Sequence, residues 1–404
     1  MAKESGVWGL QGVRDQQLQD EWSYDGAPGI RLVGYNPAGQ LGQNNTTNYS
    51  SPVQVGQDTT SAWTEIMRID AGAEAANNNQ LSGAIKADGS LWLWGGNYGS
   101  GMDAGSPGGN YSSPIQLPGT WSRIAFGGES SWQGVRDDNT LWAWGSNWGG
   151  ALGQGQTPGQ LGSSNSPLQI PGTTWATGSD KARQGNYGAL AIRTDGTLWG
   201  YGYSNKQLGL GGVQAPNAYG TSPMQVPGTG WDKLIGFGWL HSGCVKTDNT
   251  LWMWGNNEHG QLGTNQENPG TSSSPKQVPG TNWKQGTALM KSTLAIRTDG
   301  TLWAWGGNDQ GRLGLNQSTP VKISSPTQVG TDTDWGRVDG TRGSSVYAVK
   351  TDGTMWSWGY NYHGQLGQNS TTYYSSPVQI PGTGWSTTIG ASGGIQHMFG
   401  AFNF

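Results

Sequence analysis

The stretch RTDGTLWAWGGNDQGRLG at 297–314 decides how this chain is read, because it recurs. KTDGTMWSWGYNYHGQLG stands at 350–367 and KTDNTLWMWGNNEHGQLG at 246–263. The same text returns at 86–101, 136–153 and 193–209, and a worn form, RLVGYNPAGQLG, at 31–42. A second signature, Ser-Pro-x-Gln-apolar, follows every copy, with prolines at Pro52, Pro114, Pro167, Pro223, Pro275, Pro326 and Pro377. Seven copies of a unit of about 54 residues make this a repeat protein, which overrides any domain count from length.

Each copy reads as four short strands. Asp-Gly in Thr-Asp-Gly-Thr signals a hairpin, expected as a type I′ turn with two positive φ angles. Asn139 and Asn249 replace that Gly, and Asn is the next most tolerant residue there. The strand before the turn is short and apolar, as in LAIRT at 190–194. The strand after it alternates, so its Leu and Trp take opposite faces. Gly-x-Asn-x-x-Gly-Gln-Leu-Gly is loop chemistry. Ser-Pro-x-Gln-Val is an outer edge, because Pro cannot donate to a central ladder. A Pro-Gly-Thr turn then leads to one more Trp: Trp121, Trp175, Trp231, Trp283 and Trp385, with Trp63 and Trp335 in variant settings. This is the plan of a propeller blade. The expected fold is an all-β, seven-bladed propeller over 23–404, preceded by an extension at 1–22. The first copy lacks a preceding strand pair, and the apolar segment IGASGGIQHMFGAFNF at 389–404 lacks a following one. The two ends are therefore expected to share one blade and remove the open edges.

Composition excludes several other classes. Of 404 residues, 71 are Gly and 23 are Trp, and only 12% are charged. The Gly has no three-residue period, so collagen is out. The aromatic content argues against a disordered chain. No apolar run approaches the ~20 residues of a membrane span, so membrane insertion is not expected. With 22 basic and 26 acidic side chains and no Lys/Arg run, nucleic acid is not an expected partner. The first residues lack a basic region followed by an apolar stretch, so no secretory signal is expected.

The repeat, Asp-Gly-Thr-Leu-Trp-x-Trp-Gly-x-Asn, then Gly-Gln-Leu-Gly, then Ser-Pro-x-Gln-Val, resembles the regulator of chromosome condensation repeat family, in its prokaryotic or viral form. The likeness covers roughly 24–404. It implies the propeller and a recognition role. The family includes an exchange factor for the small GTPase Ran, a bacterial inhibitor of β-lactamases and a plant ultraviolet-B photoreceptor. The exchange factor's basic tail and wedge insertion do not stand out here. The photoreceptor's Gly-Trp-Arg-His-Thr text has one counterpart, Gly238-Trp239-Leu240-His241-Ser242, without the Arg.

Residues 6–22, GVWGLQGVRDQQLQDEW, stand outside the repeats. Trp8, Leu10, Val13, Leu18 and Trp22 supply a short apolar stripe for a docking helix. This segment is similar to a short element of bacteriophage tail and virion proteins. It is expected either to cap its own propeller or to dock into a larger assembly.

No His-Glu-x-x-His or Walker motif occurs. His259 and His363 are the same position in two copies, too far apart to share a metal, so no metal is expected. Cys244, the single cysteine, lies in an apolar strand and reads as a buried small hydrophobe. No catalytic residue and no cofactor are expected. Within the loops, the repeated positions hold the fold and the varied positions are free to serve recognition. Tyr98, Trp148, Tyr203 and Tyr362 are the expected surface-binding residues, on one ring face, for a cell-surface glycan or a protein. The Gly/Asn/Ser-rich stretches 100–112, 154–165 and 210–221 are the other candidate loops.

The expected function is therefore non-enzymatic: a bacteriophage virion component (tail, fibre or capsid surface) that mediates assembly or host-surface recognition beside other virion proteins. The alternative is a soluble bacterial propeller that inhibits or regulates a protein partner, in the cytoplasm or outside the cell by a signal-independent route. A third reading places an enzyme site in the central channel.

Overall fold

The computed structural model describes residues 29–55, 63–66, 68–69, 81–96, 109–127, 131–185, 188–203, 207–211, 219–237, 241–266, 270–317, 321–341, 344–387, 391–392 and 397–402. The segment 6–22, with Trp8, Leu10, Val13, Leu18 and Trp22, lies outside the described residues, as does Tyr98. The described regular structure is strand, apart from single 3-10 turns at Trp148–Gly150 and Asp309–Gly311.

The 283–328 blade shows the unit. Strands Trp283–Ala288, Ser292–Arg297, Leu302–Gly307 and Lys322–Gln328 lie side by side in chain order, every pair antiparallel. Leu302, Ala304 and Trp305 are buried and Trp303 is half-buried, so both faces of the strand are covered. That follows from the stacking of blades on both sides. Ser324, Ser325 and Pro326 fall where the register of the outer strand shifts opposite Trp305, which is where a strand proline is tolerated.

The hairpin differs from the expected type I′ turn. Only one residue of the loop has positive φ: Gly300 at 80°, with Asn139 at 63° and Asn249 at 61° in the equivalent place. The Gly300 amide donates to the Arg297 carbonyl, and the Arg297 amide to the Thr301 carbonyl, both at 3.0 Å. This is a three-residue loop, a type I turn closed by a left-handed residue. Asp299 has a different task from the one its dipeptide suggests. Its Oδ1 accepts from the Thr301 amide (3.0 Å) and hydroxyl (2.7 Å).

Six blades are built from contiguous chain, at 63–117, 121–170, 182–226, 231–277, 283–328 and 335–380. A seventh sheet mixes the two ends, in the order Tyr49–Gln54, Gly29–Gly34, His397–Phe402, Ala391–Ser392. Ile30 pairs with Ala401 and Leu32 with Phe399. The repeat thus yields six contiguous blades and one shared sheet, rather than seven equivalent units. The innermost strands touch in succession from blade to blade, and His397–Phe402 meets Trp63–Ile66. A short strand, Arg68–Ile69, also runs parallel to Trp121–Phe126.

The core is the set of layers between blades, and a repeated contact welds four of these layers. The second Trp of Trp-x-Trp-Gly donates its indole N–H to a loop carbonyl of the preceding unit. Trp94 reaches Gln40 (2.9 Å), Trp254 reaches Gln207 (2.6 Å), Trp305 reaches Gln261 (2.9 Å) and Trp358 reaches Arg312 (3.0 Å). Gly42, Gly209, Gly263 and Gly314, which end the Gln-Leu-Gly or Arg-Leu-Gly of their loops, lie under these four indoles. At Gly263, φ is 66° and a Cβ would stand 2.6 Å from the Trp305 nitrogen, so no other residue fits. In the 182–226 blade Tyr201 takes the Trp position, and its hydroxyl accepts from Gln133 (2.7 Å).

The candidate partner-binding face

The two ends of each blade are built from different chemistry. At the hairpin end, a basic side chain precedes every turn: Lys86, Arg136, Arg193, Lys246, Arg297 and Lys350. Each is clamped between two indoles. Arg297 lies 4.7 Å from the Trp283 ring centroid and 3.9 Å from that of Trp303. Arg136 lies 4.8 and 4.1 Å from Trp121 and Trp142, and Arg193 lies 4.7 and 4.2 Å from Trp175 and Trp199. The lysines do the same between Trp63 and Trp92, Trp231 and Trp252, and Trp335 and Trp356. The outer Trp is also pinned by its N–H to the turn hydroxyl, as Trp303 is to Thr301 (2.8 Å). The hydrogen bonds from Thr301 hold the Asp299 carboxyl below the ordinary carboxylate value. Sequence reading missed these sandwiches, although a Lys or Arg stands before every turn.

At the other end, the loop Asn is a buried hub. Asn308 Oδ1 accepts from the Leu313 amide (3.0 Å), and its Nδ2 donates to the Gln317 carbonyl (2.9 Å). Asn36, Asn147, Asn257 and Asn361 repeat both contacts at the same spacing. The Asn therefore shapes a rigid loop and presents the residue after it to solvent. Trp148 is 48% exposed and Tyr362 64% exposed, and Tyr373, at the far end of the same loop as Tyr362, is 41% exposed. These are the exposed large hydrophobic side chains among the described residues, and all three lie in these loops.

The expected aromatic residues do not form one cluster. Trp148 pairs with Tyr203 of the next blade, ring centroids 6.2 Å apart. Tyr362 lies elsewhere on the ring, in the 335–380 blade. It stacks beside Tyr360 (6.5 Å, 17°) and meets the edge of His363 (4.9 Å). Tyr360 packs on Tyr373 (5.2 Å), and His363 packs on Tyr35 of the shared sheet (4.7 Å). Tyr35 and Tyr373 were invisible to a comparison of single loop positions, because they come from the other terminus and from the loop's far end.

An ion network on the innermost strands was also unforeseen. Arg183 donates to Asp180 (3.0 Å) and to the Leu234 carbonyl of the next blade (3.0 Å). Arg337 donates to Asp339 (2.7 Å) and lies 3.5 Å from Asp180. Arg123 donates to the Ala182 carbonyl (3.0 Å), and Gln285 exchanges two hydrogen bonds with Val338. Charge here is spent on joining strands, and Asp180 links the third contiguous blade to the sixth. Charge pairs bolt the middle of the ring.

The remaining titratable candidates are interior. Cys244 is fully buried, and burial pushes its thiol up to about 12. His241 is fully buried beside Thr293 (3.0 Å), and burial lowers it to about 3. Burial likewise lowers His259, with help from Lys291 and Lys322. No group of three or more His, Cys, Asp or Glu side chains is placed to hold a metal among the described residues. No described helix is long and apolar enough to cross a membrane.

This geometry defines the class: an all-β propeller whose repeated residues build the ring and whose varied loop residues face outward. Residues 248–286, 299–338 and 352–400 match the Regulator of chromosome condensation (RCC1) repeat, and a second RCC1 repeat description matches 233–261. These matches lie within residues 233–400, and the rest of the chain is matched by neither description. It is 32% identical over 201 residues to the human "Probable E3 ubiquitin-protein ligase HERC6", a match spanning 48% of this chain and 19% of the relative. It is 27% identical over 219 residues to the Arabidopsis thaliana "Ultraviolet-B receptor UVR8", spanning 52% of this chain and 46% of the relative. The chain thus corresponds to less than half of either relative. Among solved structures it is similar to Prp20p of Saccharomyces cerevisiae, at a TM-score of 0.75 and 17% identity, over 99% of this chain and 96% of that one. Human WBSCR16 matches at 0.75 and 17%, over 94% and 99%.

These relatives overturn the expected virion location. They are human, plant and yeast proteins, one further Arabidopsis relative is described as mitochondrial, and none is a phage particle component. Virion partners, a phage tail role and host recognition draw no support from them, and neither does the bacterial address.

Proposed function

We infer that the chain is a non-enzymatic recognition propeller that binds a protein partner through its loop face. The observation that carries this is the division of labour within each blade. Side chains repeated from copy to copy are consumed by the fold, whereas the exposed Trp148 stands in the loop between them and pairs with Tyr203 of the next blade. Exposed aromatic side chains on rigid loops are what protein recognition uses, because they bury much area at little entropic cost. The similar fold of Prp20p, which binds Gsp1p and histones, supports the reading. The shared sheet is read as a seventh blade that closes the ring, supported by its four strands and its contacts on both sides.

The surface tested is the Trp148–Tyr203 pair. Affinity capture is run with the full chain and with the Trp148→Ala, Tyr203→Ala double variant, after both are shown to melt alike. A stoichiometric protein partner held by the full chain is expected to be lost by the variant. Equal recovery on both would sink this surface.

A further inference from the structure

The aromatic side chains at the junction of the 335–380 blade and the shared sheet form a continuous strip. Tyr35, His363, Tyr362, Tyr360 and Tyr373 follow one another with centroid separations of 4.7, 4.9, 6.5 and 5.2 Å. Four elements deliver them: the two ends of one loop, the strand end at Tyr360 and the equivalent strand end at Tyr35. Tyr35 and Tyr360 hold the same place in their copies, directly after the Gly that ends the third strand, so the strip lies on the loop face.

The second observation is electrostatic. Residues 32–57 contain no Asp, Glu, Lys or Arg, and neither do residues 353–404. These two segments supply the whole strip and the loops beside it. The flanking exposed residues are Asn44, Thr46, Thr47 and Asn48 on one side and Thr371 and Thr372 on the other. The neighbouring loop that abuts Ser375 carries Asp309 and Arg312, paired with each other at 3.3 Å. Burial lowers His363 and raises Tyr360, which keeps both rings neutral at pH 7.

We propose that this strip binds a neutral oligosaccharide. An uncharged surface offers no electrostatic reason to choose an ionic ligand. Adjacent aromatic rings, with Tyr362 and Tyr373 exposed and amides and hydroxyls at the border, suit sugar rings, each with an apolar C–H face and a hydroxyl rim. The ring-to-ring steps are comparable with the step from one pyranose to the next. Tyr360 and Tyr362, with ring planes 17° apart, form the centre; Tyr373, tilted 59° to Tyr360, and Tyr35, beyond the edge-on His363, stand at either end. This site is separate from the Trp148–Tyr203 surface and stands whether or not that surface holds a protein.

The test is titration calorimetry of the full chain with a fixed panel of neutral hexasaccharides: cellohexaose, maltohexaose, mannohexaose and xylohexaose. A hexagalacturonate serves as the charged counterpart. At least one neutral member is expected to bind, with tenfold or greater weakening by Tyr362→Ala and partial rescue by Tyr362→Phe. Lys276→Ala, an exposed change on another blade, is expected to leave binding unchanged. Tyr362 is mostly exposed, so its substitution leaves the melt in place, and Tyr373→Ala repeats the test at a second ring. No binding by any neutral member overturns the proposal. So does binding that both Tyr variants retain, or equal binding of the hexagalacturonate.

Discussion

The hairpin end and the loop end of each blade are made from the same repeat, yet they answer to different demands. At the hairpin end six copies converge on one object: a cation between two indoles, and a carboxylate holding a hydroxyl that holds an indole N–H. Little there varies except Lys for Arg, Ser for Thr and Asn for the turn Gly. At the loop end the buried half is equally uniform, with its Asn hub and its indole-to-carbonyl weld. The outward half is not. The residue after the Asn is Pro37, Trp148, Glu258, Asp309 or Tyr362. A repeat protein needs every unit to fit its neighbours, so variation is concentrated in the outward half of the loop, away from the Asn hub and the weld.

The largest effect expected from this contrast is at the weld. Trp305 is completely buried, and Trp305→Ala should cost about 3–5 kcal/mol, the range for emptying a large aromatic site. It also removes one of two donors to the Gln261 carbonyl, which keeps the Thr293 hydroxyl at 2.8 Å. Urea unfolding of Trp305→Ala and Trp305→Phe checks this, with Phe expected to recover most of the loss. If the Ala variant costs no more than a change at the hairpin end, the loop end is not where blades are joined.

How much of this was legible depended on whether the relevant neighbours lay within one copy. Strand order, the hairpin position and the outer-edge proline are local, and the repeated text carried them. The turn type was misread because the Asp-Gly dipeptide was weighed without the residue before it and the Thr after it. The residue before makes the loop three residues long, and the Thr after it closes the loop and donates to the Asp. The sandwich on Arg297 needs Trp283 from before the hairpin and Trp303 from after it, so only the folded blade brings them together. The aromatic face was half legible. Tyr362 was readable as exposed, but Tyr35 arrives from the other end of the chain. The shared sheet was legible because each terminus lacked the strands that the other supplied.

A middle-sized effect is expected from the sandwiches. Cation–π contacts are worth roughly 0.5–1 kcal/mol when exposed and about 2 when desolvated. Arg297→Met keeps the apolar stem and removes the charge, so about 1 kcal/mol should be lost. If the hairpin ends are interchangeable, Arg136→Met and Arg193→Met should lose the same within about 0.5 kcal/mol, the usual limit of additivity between distant sites. A wide spread among the three would show that the uniform geometry conceals unequal roles.

The smallest effect concerns acid. Asp88, Asp138, Asp195, Asp248, Asp299 and Asp352 are all held below their ordinary value by hydrogen bonds from the Ser or Thr two residues on. A carboxyl with a depressed folded value favours the folded state above its unfolded value, near pH 4, and loses that contribution as pH falls through the folded value. Stability should therefore be flat from pH 7 down to about pH 5 as far as these groups decide it, and fall below about pH 4. Asp299→Asn keeps an oxygen acceptor for Thr301 but removes the titration. It should change stability by no more than about 0.5 kcal/mol at pH 7, as exposed substitutions do, and make the acid slope shallower. Thermal melts at pH 7, 5, 4 and 3 measure both. Because six turns titrate together, one substitution should remove only a fraction of the slope. Its complete removal would mean that a single hairpin, not the set of six, controls acid unfolding, and the equality of the hairpin ends would fail there.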